Sequence, residues 1–148
     1  MQILVSYATH RCVGLPLLAF SCNGAKVSDL TPLRGMRLQS LDCGQSPIAD
    51  LTPLKEMKLT SLFIHQTLVS DLSSLQGMPL VTLAIAFTPV SDLSVLLDCK
   101  TLQLLNAGST KVTAAQIAAL QKALPNCKIE WDDPSKATTP QPATSGTK

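Results

Sequence analysis

Long apolar runs, paired cysteines, histidines and aromatic rings are all scarce in this chain of 148 residues. No segment reaches the roughly 18 uninterrupted apolar residues that mark a membrane-crossing helix. The opening "MQILVSYATHRCVGLPLLAF" lacks a basic start, and His10 and Arg11 interrupt its apolar stretch, so it does not read as a secretory leader. A cytoplasmic location is the expectation. The five cysteines, Cys12, Cys22, Cys43, Cys99 and Cys127, are odd in number and contain no C-x-x-C pair, which argues against a disulfide framework and a zinc knuckle. Reduced, buried thiols are expected.

The chemistry of catalysis is equally thin. Only His10 and His65 are available, and neither lies in a metal-binding spacing such as H-E-x-x-H. Ser61 and His65, four residues apart on an extended segment, would be separated by roughly 13 Å, and Asp42 would lie about 8 Å from His65. A nucleophile and its base must approach to about 3 Å. No G-x-x-x-x-G-K-[ST] phosphate loop occurs among the seven glycines. The chain is read as a non-enzyme without cofactor, metal or small-molecule substrate. A formal net charge of +2, with basic residues from Arg11 to Lys148, makes no case for nucleic acid or an anionic membrane.

What the chain has in abundance is repetition. "SDLTPL" (28–33), "ADLTPL" (49–54), "SDLSSL" (70–75) and "SDLSVL" (91–96) place Asp29, Asp50, Asp71 and Asp92 at one fixed 21-residue interval. Seven apolar columns share that interval: Leu17/Leu38/Leu59/Leu80, Phe20/Leu41/Leu62/Leu83, Cys22/Cys43/Ile64/Ile85, Val27/Ile48/Val69/Val90, Leu30/Leu51/Leu72/Leu93, Leu33/Leu54/Leu75/Leu96 and Met36/Met57/Met78/Cys99. One extra residue near Thr101 precedes a fifth, incomplete unit carrying Leu102, Leu105, Ala107 and Val112.

A unit this short cannot bury seven apolar side chains alone, whereas stacked units turn each column into a continuous ladder. Within a unit, Leu38-x-x-Leu41-x-Cys43 puts alternate residues on opposite sides of a strand. The following Asp50-Leu51-x-Pro53-Leu54 suits a short helical return, with the aspartate capping its amides and Pro53 early enough to lose no donor. Cys22, Cys43 and Cys99 fall in the ladders and read as small core hydrophobes.

With L-x-x-L-x-[CIA] strands, Ser46, Thr67 and Thr88 nine positions in, and V-x-D-L-x-P-L returns, the stretch from about 15 to 131 resembles short bacterial leucine-rich repeats of the internalin type. It departs from them in carrying Ser46, Thr67, Thr88 and Thr110 where the family has a ladder asparagine, and in units one residue shorter than usual. The wording "L-x-G-M-P-L" and the ending "AALQKALPNCKIEW" resemble more narrowly repeat proteins of planctomycete type, found C-terminal in some serine/threonine kinase chains. The resemblance implies a recognition module with no catalytic residues of its own.

The expected fold is therefore an α/β solenoid of about five coils, with a parallel sheet on the concave face, helical or 3₁₀ returns and a C-terminal capping helix. Residues 1–14 fit the repeat poorly, since Ser6, Thr9 and Cys12 occupy apolar columns. Residues 15–112 form the array, and residues 113–131 form a cap. There Thr113 precedes helically spaced Ile117, Leu120 and Leu124, and the alternating Cys127, Ile129 and Trp131 form a last strand. Residues 132–148 are expected to be disordered. The missing N-terminal cap suggests the C-terminal part of a larger multidomain protein, or edge association through that end.

The outward strand positions read Ser40, Asp42, Gly44; Ser61, Phe63, His65; Thr82, Ala84, Ala86; and Leu104, Asn106, Gly108. Phe63, His65, Ala84 and Ala86, with Phe87 at a strand end, make an apolar patch flanked by Asp42 and Asn106. Such a patch is the expected face for a protein or peptide partner.

Overall fold

The computed structural model describes residues 18–133. Leu17, the N-terminal segment 1–14 and the tail from 134 onward lie outside the described residues. Six three-residue strands, β1 (Ala19–Ser21), β2 (Ser40–Asp42), β3 (Ser61–Phe63), β4 (Thr82–Ala84), β5 (Leu104–Asn106) and β6 (Lys128–Glu130), form one parallel sheet in chain order.

Strand register follows the sequence repeat. Phe20, Leu41, Leu62 and Leu83 are successive partners one repeat apart, and Leu83 pairs with Leu105 after the extra residue. Parallel neighbours ordinarily require a long crossover. Here the crossover is a 3₁₀ turn in each unit: Thr31–Leu33, Thr52–Leu54, Ser73–Leu75 and Ser94–Asp98. Pro32 and Pro53 stand in the first positions of their turns, where no internal donor is lost.

The aspartates act one step outside the cap. Asp29, Asp50, Asp71 and Asp92 each accept the amide two residues on (Thr31, Thr52, Ser73, Ser94) at 2.8 Å, while the capping positions proper are Leu30, Leu51, Leu72 and Leu93. The expected aspartate caps are thus Asx turns, which fix the entry into each 3₁₀ turn. Ser73 and Ser94 add hydroxyl bonds to the same carboxylates.

All the expected ladders converge in one core, with Leu38, Leu41, Ile48, Leu54, Leu59, Leu62, Ile64, Leu80, Leu83 and Ile85 fully buried. Phe20, Val27, Met36 and Cys99 are only partly buried against it. The Sγ atoms of Cys22 and Cys43 lie 2.8 Å apart in adjacent coils. Their hydrogen bond favours ionisation of Cys22, and the same bond together with burial pushes the Cys43 thiol far up. Burial also raises the Cys127 thiol.

The column expected to hold asparagine solves its polar problem within the coil. Thr67, Thr88 and Thr110 donate their hydroxyls to the carbonyls of Ile64, Ile85 and Ala107 at 2.6–2.8 Å. Ser46 instead lies 3.2 Å from Cys22 O in the preceding coil and 3.3 Å from Gly44 O. No buried side-chain polar atom lacks a partner among the described residues.

At the C-terminal end, helix α1 (Ala114–Ala123) starts in a capping box between Thr113 and Gln116. Leu120 and Leu124 pack into the core, and β6 pairs with β5 through Leu105↔Ile129. Ile129 and Trp131 cover the last coil.

Candidate interaction face

The strand face away from the core is built by alternation. In β2 to β5 the middle residue is buried, and the residues on either side are half-buried. Register places Asp42, Phe63, Ala84 and Asn106 side by side in one row, continued by Ser21 and Glu130. One step beyond lies a second row: Asn23, Gly44, His65, Ala86 and Gly108.

The two flanks of this face are already tied down. Asp42 accepts Asn23 Nδ2 on both oxygens, at 3.0 and 3.1 Å, and the Gly44 amide at 3.1 Å. Asn106 Oδ1 accepts the Gly108 amide at 3.2 Å, and Asp132 accepts both the amide and the hydroxyl of Ser109. These polar groups hold the strand ends in shape.

His65 leans over the preceding coil. A Cβ added at Gly44 would overlap the His65 ring, coming within 2.5 Å of Nε2 and 2.7 Å of Nδ1. The absent side chain at position 44 is what gives the imidazole its place. Phe63 and Ala84 are half-buried beside it.

Ala86 departs from the sequence-based expectation. It is only 7% exposed, so it belongs to the floor of the face and adds little apolar surface. It lies two residues beyond β4, where the Gln66 amide donates to its carbonyl and ties it to the preceding coil.

Phe87 carries the exposed apolar surface. It is 61% exposed and has φ of 57°, in the left-handed region. Its equivalents in the other coils are Gly24, Gln45, Gln66 and Ser109, all with positive φ. The turn after each strand imposes that conformation, and a bulky residue adopts it at a steric cost. Leu68, on the turn after β3, is equally exposed and escaped the sequence reading, because the repeat pattern marks only buried columns.

A second feature went unread in the sequence. The segments leading from the 3₁₀ turns back to the strands enclose a groove of about 1000 Å³ lined by Arg34, Arg37, Lys55 and Lys58. The signal was present at the same period, since Arg34 and Lys55, like Arg37 and Lys58, stand one repeat apart. No helix among the described residues is long and apolar enough to cross a membrane.

No protein-family model and no curated protein matches the chain. Among solved structures it is similar to an internalin (inlF) from Listeria monocytogenes, with a TM-score of 0.63 and 21% identity, over 79% of this chain and 43% of that one. It is also similar to an internalin C2 (inlC2) from the same organism, with a TM-score of 0.60 and 23% identity, over 80% of this chain and 65% of that one. The chain thus spans less than two thirds of either protein's length. At these identities the likeness concerns the backbone. Together with the parallel sheet, the 3₁₀ returns and the strand register that follows the sequence repeat, it makes the fold a leucine-rich repeat solenoid similar to that of the two internalins.

Proposed function

We propose that this chain is a non-catalytic protein-interaction module, docking a protein or peptide on the strand face around Phe63, His65, Ala84 and Phe87. The observation that carries the reading is Phe87. It is a large apolar ring, mostly exposed, at a left-handed turn position held by glycine, glutamine or serine in the other coils. A ring this exposed, where the other coils carry glycine or polar residues, is the kind of surface that marks an interaction site. Asp42 and Asn106 frame the patch as rigid edges, since their side chains are engaged in the local hydrogen bonds that shape the strand ends.

The test is retention of a partner by immobilised protein. Phe63→Ala and Phe87→Ala should each weaken it, and the double variant should abolish it, with the denaturant midpoint nearly unchanged. Equal retention by the double variant would leave the array as a spacer. In a longer chain, such as a serine/threonine kinase of planctomycete type, the same array would serve as its recognition or spacer segment. Genomic sequence encoding further V-x-D-L-x-P-L units upstream of Met1 would identify that setting.

A further inference from the structure

We propose that the groove between the 3₁₀ returns and the strand entries of the second and third coils binds a carboxylate-rich segment of a partner protein. Its floor includes Met57, which is buried, and Met36, which is half-buried, and its rim carries Arg34, Arg37, Lys55 and Lys58, all exposed. Gly35 and Glu56, both with positive φ, reverse the chain between the cations of each coil.

Three observations converge on an anionic occupant. The cations stand at equivalent positions of adjacent coils, Arg34 and Lys55, Arg37 and Lys58, each pair one repeat apart and lining the same groove. Like charges gathered on one groove repel each other. Nothing relieves them: none of the four cations makes an ion pair or a side-chain hydrogen bond among the described residues. A single carboxylate, Glu56, lines the groove.

The chain's own undescribed residues supply no acidic side chain. All ten Asp and Glu residues lie between Asp29 and Asp133, and neither 1–17 nor 134–148 contains one. Asp29, Asp50, Asp71 and Asp92 are engaged in their Asx turns. Within this sequence no free acidic segment is left to fill the groove, which favours a carboxylate-rich segment of a partner protein as its occupant. A peptide suits the groove better than a nucleic acid, because no aromatic side chain lines it to stack on bases and the overall charge is only +2.

The test uses the full chain and a fluorescein-labelled hexaglutamate peptide, followed by anisotropy at low salt. Arg37→Glu/Lys58→Glu should weaken binding at least tenfold. Lys26→Glu/Lys111→Glu, the same charge change at exposed sites outside the groove, should change it less than twofold. Phe63→Ala/Phe87→Ala should leave it unaltered, which separates this site from the strand face. Arg37→Glu alone should raise the urea midpoint, because it replaces a like-charge pair by an opposite one.

Absence of binding by the unaltered chain, or equal losses from both charge-reversed pairs, would overturn the proposal. So would tighter binding of an octathymidylate oligonucleotide that is lost in the same groove variant, because it would assign the groove to nucleic acid. Concentration-dependent dimerisation lost in that variant, without peptide binding, would assign it to a second copy and also overturn the proposal.

Discussion

Leu62 is the place where the stacked architecture is most exposed to a single substitution. It is fully buried in β3, paired with Leu41 on one side and Leu83 on the other, both themselves fully buried. Leu62→Ala removes three carbons, worth roughly 2.4 kcal/mol at roughly 0.8 kcal/mol each. A cavity contribution of about 24 cal/mol per Å³ of unfilled volume adds to this. Collapse is restricted, because the flanking strands are held by ladder hydrogen bonds such as Cys43 N to Phe63 O and Ile64 N to Ala84 O. The expected loss is about 3–4 kcal/mol, within the usual range of about 2–5. In a linear array the damage also weakens coupling between the coils before and after it. Urea unfolding followed by far-UV circular dichroism should show a lower midpoint and a smaller m-value as the two sides begin to separate. A loss below about 1 kcal/mol would mean that the Phe20/Leu41/Leu62/Leu83 ladder is not a packed column, and the reasoning from repeat to core would fail.

Other outcomes follow from single observations. Asp29 and Asp50 are held below the usual carboxylate range by hydrogen bonds from the Thr31 and Thr52 side chains and amides, and Asp71 by the Ser73 amide and hydroxyl. Since the unfolded chain takes up these protons first, this stability should be present above the ordinary aspartate range, about pH 4, and be lost as pH falls below it; Asp71→Asn should flatten part of that urea-midpoint profile. Gly44→Ala should displace the His65 ring at a cost below about 1 kcal/mol, since only the end of a flexible side chain must move, and the His65 imidazole resonances should shift. An unmoved His65 spectrum would refute the packing described. In native protein, alkylation mapped by mass spectrometry should spare Cys43, kept protonated by its bond to Cys22 and by burial, and Cys127, kept so by burial, and reach both only after unfolding.

The parts of the fold written periodically were legible, and the rest was not. Columns such as Leu41/Leu62/Leu83 and Ile48/Val69/Val90 announce burial because stacking demands the same residue type at the same place in every coil. The extra residue near Thr101 was legible for the same reason, as a break in an otherwise fixed interval. The interaction face is harder to read, because it consists of departures from the repeat. Phe87 could be singled out as aromatic, but its left-handed backbone comes from the turn geometry, visible only beside Gly24 and Ser109. Alternation alone assigns Ala86 outward, whereas it is buried just beyond the end of β4, where strand alternation no longer applies. The groove cations were overlooked because net charge averages over acids held in the returns.

The most direct test is excision of one coil. Deleting positions 50–70 removes one whole repeat, including β3, and joins Ala49 to Asp71, so that every ladder remains in register. That protein should keep a cooperative urea transition and a far-UV spectrum of the same shape, at lower stability. Deleting positions 50–67 instead stops short of a whole repeat and joins Ala49 to Leu68, so that three surplus residues must be looped out of a return, and this protein should be less stable than the in-register deletion. Unfolding of the in-register protein, or a control as stable as it or more so, would contradict the identification of each sequence repeat with one coil.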